Sequence, residues 1–159
     1  MNNTTLKTGH PRINWDYPPP QNALDRFVGP GATRAELLLQ FVPTVIVALS
    51  LVAAAIVGDW GWTPVQLIVA GVLTLDMVGG VITNATSSGK RWYHRAGQGF
   101  RQHMLFVLIH IVQPTLVVLF FEPGNWMFAA GSYAYLVLAA LLILFTPLYL
   151  QRPLAGLLL

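Results

Sequence analysis

Asp76 and His110 are the side chains with the greatest capacity for chemistry, because each stands inside a long apolar run. A carboxylate and an imidazole exchange protons readily, and both ligate metals. Asp76 lies in the run 65–82, where an ionisable group is costly and is retained for a partner or a task. Asn84 and His103 add an amide and a second imidazole nearby. Asp76, His103 and His110 make up the two-histidine, one-carboxylate set of catalytic zinc and non-haem iron sites. A divalent metal, zinc or iron, is therefore the first cofactor expectation. The spacings HExxH, ExxH and HxxxH are absent, as are the inward glutamates of a di-iron bundle. Haem or a pigment ranks below the metal, since both central histidines lie on one helix and no facing helix supplies an axial partner. The plainer alternative is an Asp76–His110 hydrogen bond that only fixes packing. Such contacts average about 0.6 kcal/mol in membranes, a weak reason to keep a buried carboxylate.

Spacing brings these groups together. Asp76 lies about 16 Å and His110 about 14 Å from the stretch 87–100 that joins their helices, at the rise of an α-helix. Asp76, Gly80, Thr83 and Ser87 form one stripe, with Asn84 on its flank. His103, Val107, His110 and Pro114 form another. Gly79 and Gly80 permit close approach of backbones or leave room for a ligand. Pro114 cannot donate to the His110 carbonyl, which must find another partner. The joining stretch carries Lys90, Arg91 and Arg95 beside Trp92, Tyr93 and His94. Lys90, Arg91, Trp92, His94 and Arg95 are the expected binding set for a phosphate or an anionic head group. Gly97 and Gly99 allow that stretch to fold back over the site.

The elements that carry these residues follow from composition. Charged residues make up 9% of the chain and apolar residues 55%, where a soluble domain has roughly 25% charged residues. Lipid is the expected solvent. Four apolar runs, about 35–57, 64–86, 101–121 and 126–150, approach the roughly 20 residues that cross a bilayer. Thr33 with Glu36, and Thr63 with Gln66 behind Pro64, have capping-box spacing. Glu122, Pro123, Gly124 and Asn125 read as a turn. The links 58–63 and 122–125 are short, so neighbouring helices run antiparallel. The expected fold is an all-α, integral membrane four-helix bundle spanning 33–159.

All nine Lys and Arg residues then gather on the side of the termini, while the other side carries Asp59 and Glu122. The positive-inside rule predicts cytoplasmic N- and C-termini in a bacterial-type inner membrane. Trp60, Trp62 and Trp126 form an expected outer aromatic belt, and Trp92 and Tyr93 an inner one. Tyr133 and Tyr135 read as belt residues too, and Leu157 to Leu159 as a surface-lying end. Residues 1–32 are polar and proline-rich, so an extended cytoplasmic segment is expected, with no cleavable signal peptide. Trp15 and Tyr17 favour a strap over the bundle mouth or on a partner protein against a disordered tail. His10 belongs to that tail. The absence of cysteine excludes disulfides, thiolate metal sites and iron–sulfur clusters. No phosphate-binding glycine loop or serine nucleophile motif occurs, and no nucleic-acid partner is expected.

These features predict a small membrane enzyme acting on a lipid, isoprenoid or quinone-like substrate that enters between the second and third spans. Asp76 and His110 would serve as acid and base or as ligands, with His103 and Asn84 orienting the substrate. Membrane lipids are the expected partners. The alternative is an accessory subunit of a membrane complex, held through the N-terminal segment, that packs on a partner or holds a cofactor. A lipid-binding scaffold without chemistry is a third reading.

Overall fold

Two capping boxes start the first two long helices. Thr33 N–H donates to Glu36 Oε2 at 2.9 Å and Glu36 N–H to Thr33 Oγ1 at 3.2 Å. Thr63 and Gln66 repeat the exchange at 2.7 and 3.3 Å. Both boxes satisfy donors that a helix start leaves open, which matters most where lipid replaces water.

The computed structural model describes residues 16–158. Among them the chain forms helices and turns, with no strand. In order these are α1 (Ala23–Val28), α2 (Arg34–Val57), α3 (Pro64–Ala85), α4 (Ser87–Tyr93), α5 (Phe100–Ile109), α6 (Val112–Phe120), α7 (Trp126–Phe145) and α8 (Leu148–Leu157). Four stretches are long and apolar enough to cross a membrane: α2, α3, the α5–α6 pair over Phe100–Phe120, and α7.

Proline accounts for the two departures from straight spans. The third run breaks between Ile109 and Val112, because Pro114 has no N–H and its ring crowds the turn before it. His110 and Ile111 bond three residues back instead, to the Val107 and Leu108 carbonyls at 3.1 and 3.3 Å. The Tyr133 hydroxyl braces the break by donating to Leu108 O at 3.0 Å. The fourth run stops at Phe145 ahead of Pro147, not near residue 150. Thr146 closes it, its N–H on Ile143 O at 3.1 Å and its hydroxyl on Leu142 O at 2.6 Å. α8 then doubles back beside α7, so that Tyr135 OH donates to Leu158 O at 2.8 Å. Tyr133 and Tyr135 thus tie helices together. The stretch 87–100 is not wholly loop, since α4 opens it. The segment 1–32 is not extended throughout, since it contains α1, capped by Asn22. Trp15, His10, Lys7, Arg12 and Leu159 lie outside the described residues.

α2 packs along α3, α7 against α5 and α6, α3 meets α6, and α1 sits on α4. The α2–α3 seam is built from small residues. Ala48, Ala55, Ala70, Thr44 and Thr83 are all buried. A Cβ on Gly79 would sit 3.3 Å from Thr44 Cγ2. Small residues let helices approach where lipid provides no hydrophobic drive. One polar pair lies in the seam. Thr83 Oγ1 donates to Gln40 Oε1 at 3.0 Å, with Gln40 and Thr83 only 2% and 4% exposed. Gln40 Nε2 has no partner among the described residues. Thr83→Val therefore strips the buried amide of its one side-chain bond. The expected cost is about 1–2 kcal/mol, read as a lowered unfolding midpoint in detergent, with Thr83→Ser close to wild type.

Candidate functional site

Asp76 is held by Gln113. The Gln113 Nε2 donates to Asp76 Oδ2 at 2.6 Å, joining mid-α3 to α6. Near the start of α3, Gln66 Nε2 donates to Phe120 O at 2.5 Å. The two bonds fix an antiparallel register between α3 and α6. His110 lies one turn before Gln113, near the level that depth counting gives it, but no hydrogen bond joins it to Asp76. Its Nδ1 turns back to Phe106 O at 2.6 Å, and its ring meets Phe106 edge-on at 4.6 Å. A carbonyl only accepts, so this Nδ1 carries a hydrogen, which in the neutral ring leaves the lone pair on Nε2. Gln113 and Gln40 were both visible as amides inside apolar runs, and sequence reasoning passed over them for the charged and imidazole groups. Gln113 Oε1 is buried and has no partner among the described residues.

The stripe on α3 divides in two. Gly79 and Thr83 are buried towards α2, while Asp76 and Asn84 are exposed on the other face. Gly80 lies between these two at four-residue spacing, and a Cβ there would meet nothing within 4 Å. A carboxylate and an amide thus flank an open notch on a helix long and apolar enough to cross a membrane.

His103 pairs with His94. The rings stack at 5.1 Å and 17°, with His103 Nε2 3.2 Å from His94 Nδ1. His103 Nδ1 donates to Gly99 O at 2.8 Å, so its Nε2 accepts from His94 when both rings are neutral. Asp76, His103 and His110 are therefore engaged in three separate places. Among the described residues no three His, Cys, Asp or Glu side chains gather as a ligand set.

The basic residues also divide. Arg95 Nη1 donates to Trp92 O at 2.5 Å, and its guanidinium lies 3.6 Å over the Trp92 ring. Arg91 lies close enough to Glu36 to act on its charge. Around it the N-terminal segment seats on α4. Ser88 N–H donates to Glu36 Oε1 at 2.9 Å, Ser88 Oγ to Val28 O at 3.0 Å, and Tyr93 OH to Phe27 O at 2.7 Å. Tyr17 meets Trp92 edge-on at 5.8 Å. The strap reading thus has a seat for residues 17–31 on α4, next to the start of α2.

Burial pushes the His94 imidazole below its ordinary value of 6.5, and His103, Arg152 and Lys90 add like-charge repulsion. A depressed folded-state value means that the unfolded chain takes up the proton first. The His94 contribution to stability is therefore full above pH 6.5 and falls away as pH drops through the depressed folded-state value. His94→Gln should flatten that acid limb in a pH series of thermal unfolding. No protein-family model, curated protein or solved structure matches this chain.

Proposed function

We propose that this protein is an accessory subunit of a larger membrane protein complex. The observation that carries the reading is the exposed Asp76–Gly80–Asn84 face at the middle and end of α3. A carboxylate facing hydrocarbon at mid-span costs about 2.5–3.5 kcal/mol on insertion scales. A partner helix that brings hydrogen-bond donors to Asp76 offsets this cost. The notch at Gly80 lets its backbone come close. The four spans then form an antiparallel bundle. The gathered cations at one end favour cytoplasmic termini in an inner membrane. The N-terminal segment, seated on α4, offers a second surface to the complex. In a mild detergent the wild-type chain should elute within an assembly larger than itself. Asp76→Leu should shift towards the position of the lone chain, and an unshifted Asp76→Leu profile would overturn the proposal.

A second reading is a small membrane enzyme for a lipid, isoprenoid or quinone-like substrate. The observation that favours it is His110 Nε2, which holds the lone pair when the ring is neutral, has no hydrogen bond among the described residues, and belongs to a residue one turn before Gln113, the partner of Asp76. That atom suits a general base or a ligand to zinc or iron. Elemental analysis of the purified chain and its His110→Ala variant separates the two readings. Stoichiometric metal lost on substitution supports the enzyme.

A further inference from the structure

Among the described residues, Asp76 has one hydrogen-bond partner, and it is neutral. The Gln113 amide bonds Oδ2 at 2.6 Å. An amide supplies a hydrogen but no charge. The cations of the described chain stand too far along the helices to supply one. The Thr83–Gln40 bond sets the level of α2 against α3. Thr83 is seven residues from Asp76, and Arg34 lies six residues beyond Gln40 in the same direction. At the rise of an α-helix this puts Arg34 about 20 Å from the level of Asp76. Arg101 lies in the first turn of α5, twelve residues before Gln113, which is about 18 Å. Lys90, Arg91 and Arg95 follow the end of α3, and Arg26 lies on α1, which packs on α4. A second copy inserted in the same sense brings its cations to that same end. His110, near the level of Asp76, sends its Nδ1 back to Phe106 O instead.

We propose that the helix meeting the Asp76 face belongs to a different protein and carries a lysine or arginine near the middle of its span. The inference rests on the subunit reading and names the chemistry of the partner. A lone cation in a span is as costly as a lone carboxylate, so pairing relieves both chains at once. A neutral donor on the partner relieves only one. Gly80 leaves room for the approach, since a Cβ there would meet nothing within 4 Å. Asn84, exposed two turns after Asp76, gives the same helix a second polar contact.

The test places a photoreactive phenylalanine analogue at Val81, which is exposed beside Gly80. The full chain is irradiated in intact membranes and the peptide attached to it is sequenced. The expected adduct is an apolar stretch of about 20 residues from another protein, with Lys or Arg within one turn of its middle. Asp76→Glu keeps the charge and should hold the adduct yield within about twofold, while Asp76→Asn should lower it about fivefold. A stretch without Lys or Arg, a second copy of this chain, or equal yields from Asp76→Glu and Asp76→Asn overturns the inference. A cation-free stretch from another protein leaves the subunit reading standing. The absence of any protein adduct removes that reading and this inference together. The sequence of the adduct is read from the wild-type Asp76 chain, so the result does not depend on how either variant folds.

Discussion

Gly29→Ala should unseat the N-terminal segment from α4 and lower stability by about 2–4 kcal/mol. Gly29 has a φ of 91°, and a Cβ there would lie 2.3 Å from Ser88 O and 2.4 Å from Ser88 C. Those are backbone atoms, so no rotamer change removes the clash. Moving the segment away instead breaks the Ser88 Oγ bond to Val28 O and exposes Val28, which is 2% exposed in the fold. The readouts are a lowered melting temperature in detergent and faster tryptic cleavage after Arg26. Gly61 provides the comparison. Its φ is 71°, but a Cβ there meets nothing within 4 Å. Gly61→Ala should therefore cost only about 1–2 kcal/mol of backbone strain and leave cleavage at Arg26 unchanged.

Asp76→Leu should act in opposite directions on the isolated chain and on the assembly. On insertion scales the exchange is favourable by about 3 kcal/mol at mid-span, so the isolated chain should become harder to unfold. The gain is reduced by the loss of an acceptor for Gln113 Nε2, now bonded at 2.6 Å. The assembled complex should weaken by about 1–2 kcal/mol, roughly tenfold in affinity, as donors on the partner helix lose their acceptor. Asp76→Asn keeps an acceptor oxygen and should fall between. A residue that served only internal packing would lower both quantities together. That difference in sign separates a contact surface from a structural hydrogen bond.

Much of the fold was legible because its signals are local. Four apolar runs, the Thr33 and Thr63 capping boxes and the turn at Glu122 each depend on a few adjacent residues. The pairing of side chains across helices was less legible. Depth counting takes the third span as one straight helix, whereas Pro114 interrupts it at His110 and Ile111. The return of α8, from which Arg152 acts on the His94 charge, depends on the turn at Thr146 and Pro147 and on Tyr135 reaching Leu158. The proposed ligand trio failed to assemble for a recurrent local reason. His103 and His110 both bond the carbonyl four residues back, Gly99 O and Phe106 O. An imidazole committed to its own helix in this way lies along it and not across the gap. Gln113, with its longer and unbranched reach, takes Asp76 instead.

In the proposed subunit the Asp76 face meets another polypeptide inside the membrane. Met77 is exposed beside Asp76, and Phe145 is exposed at the end of α7. A photoreactive phenylalanine analogue at each position, irradiated in intact membranes, compares the two surfaces directly. One discrete protein adduct is expected from position 77, reduced by Asp76→Leu, with lipid adducts alone from position 145. Lipid adducts alone from both positions would contradict it.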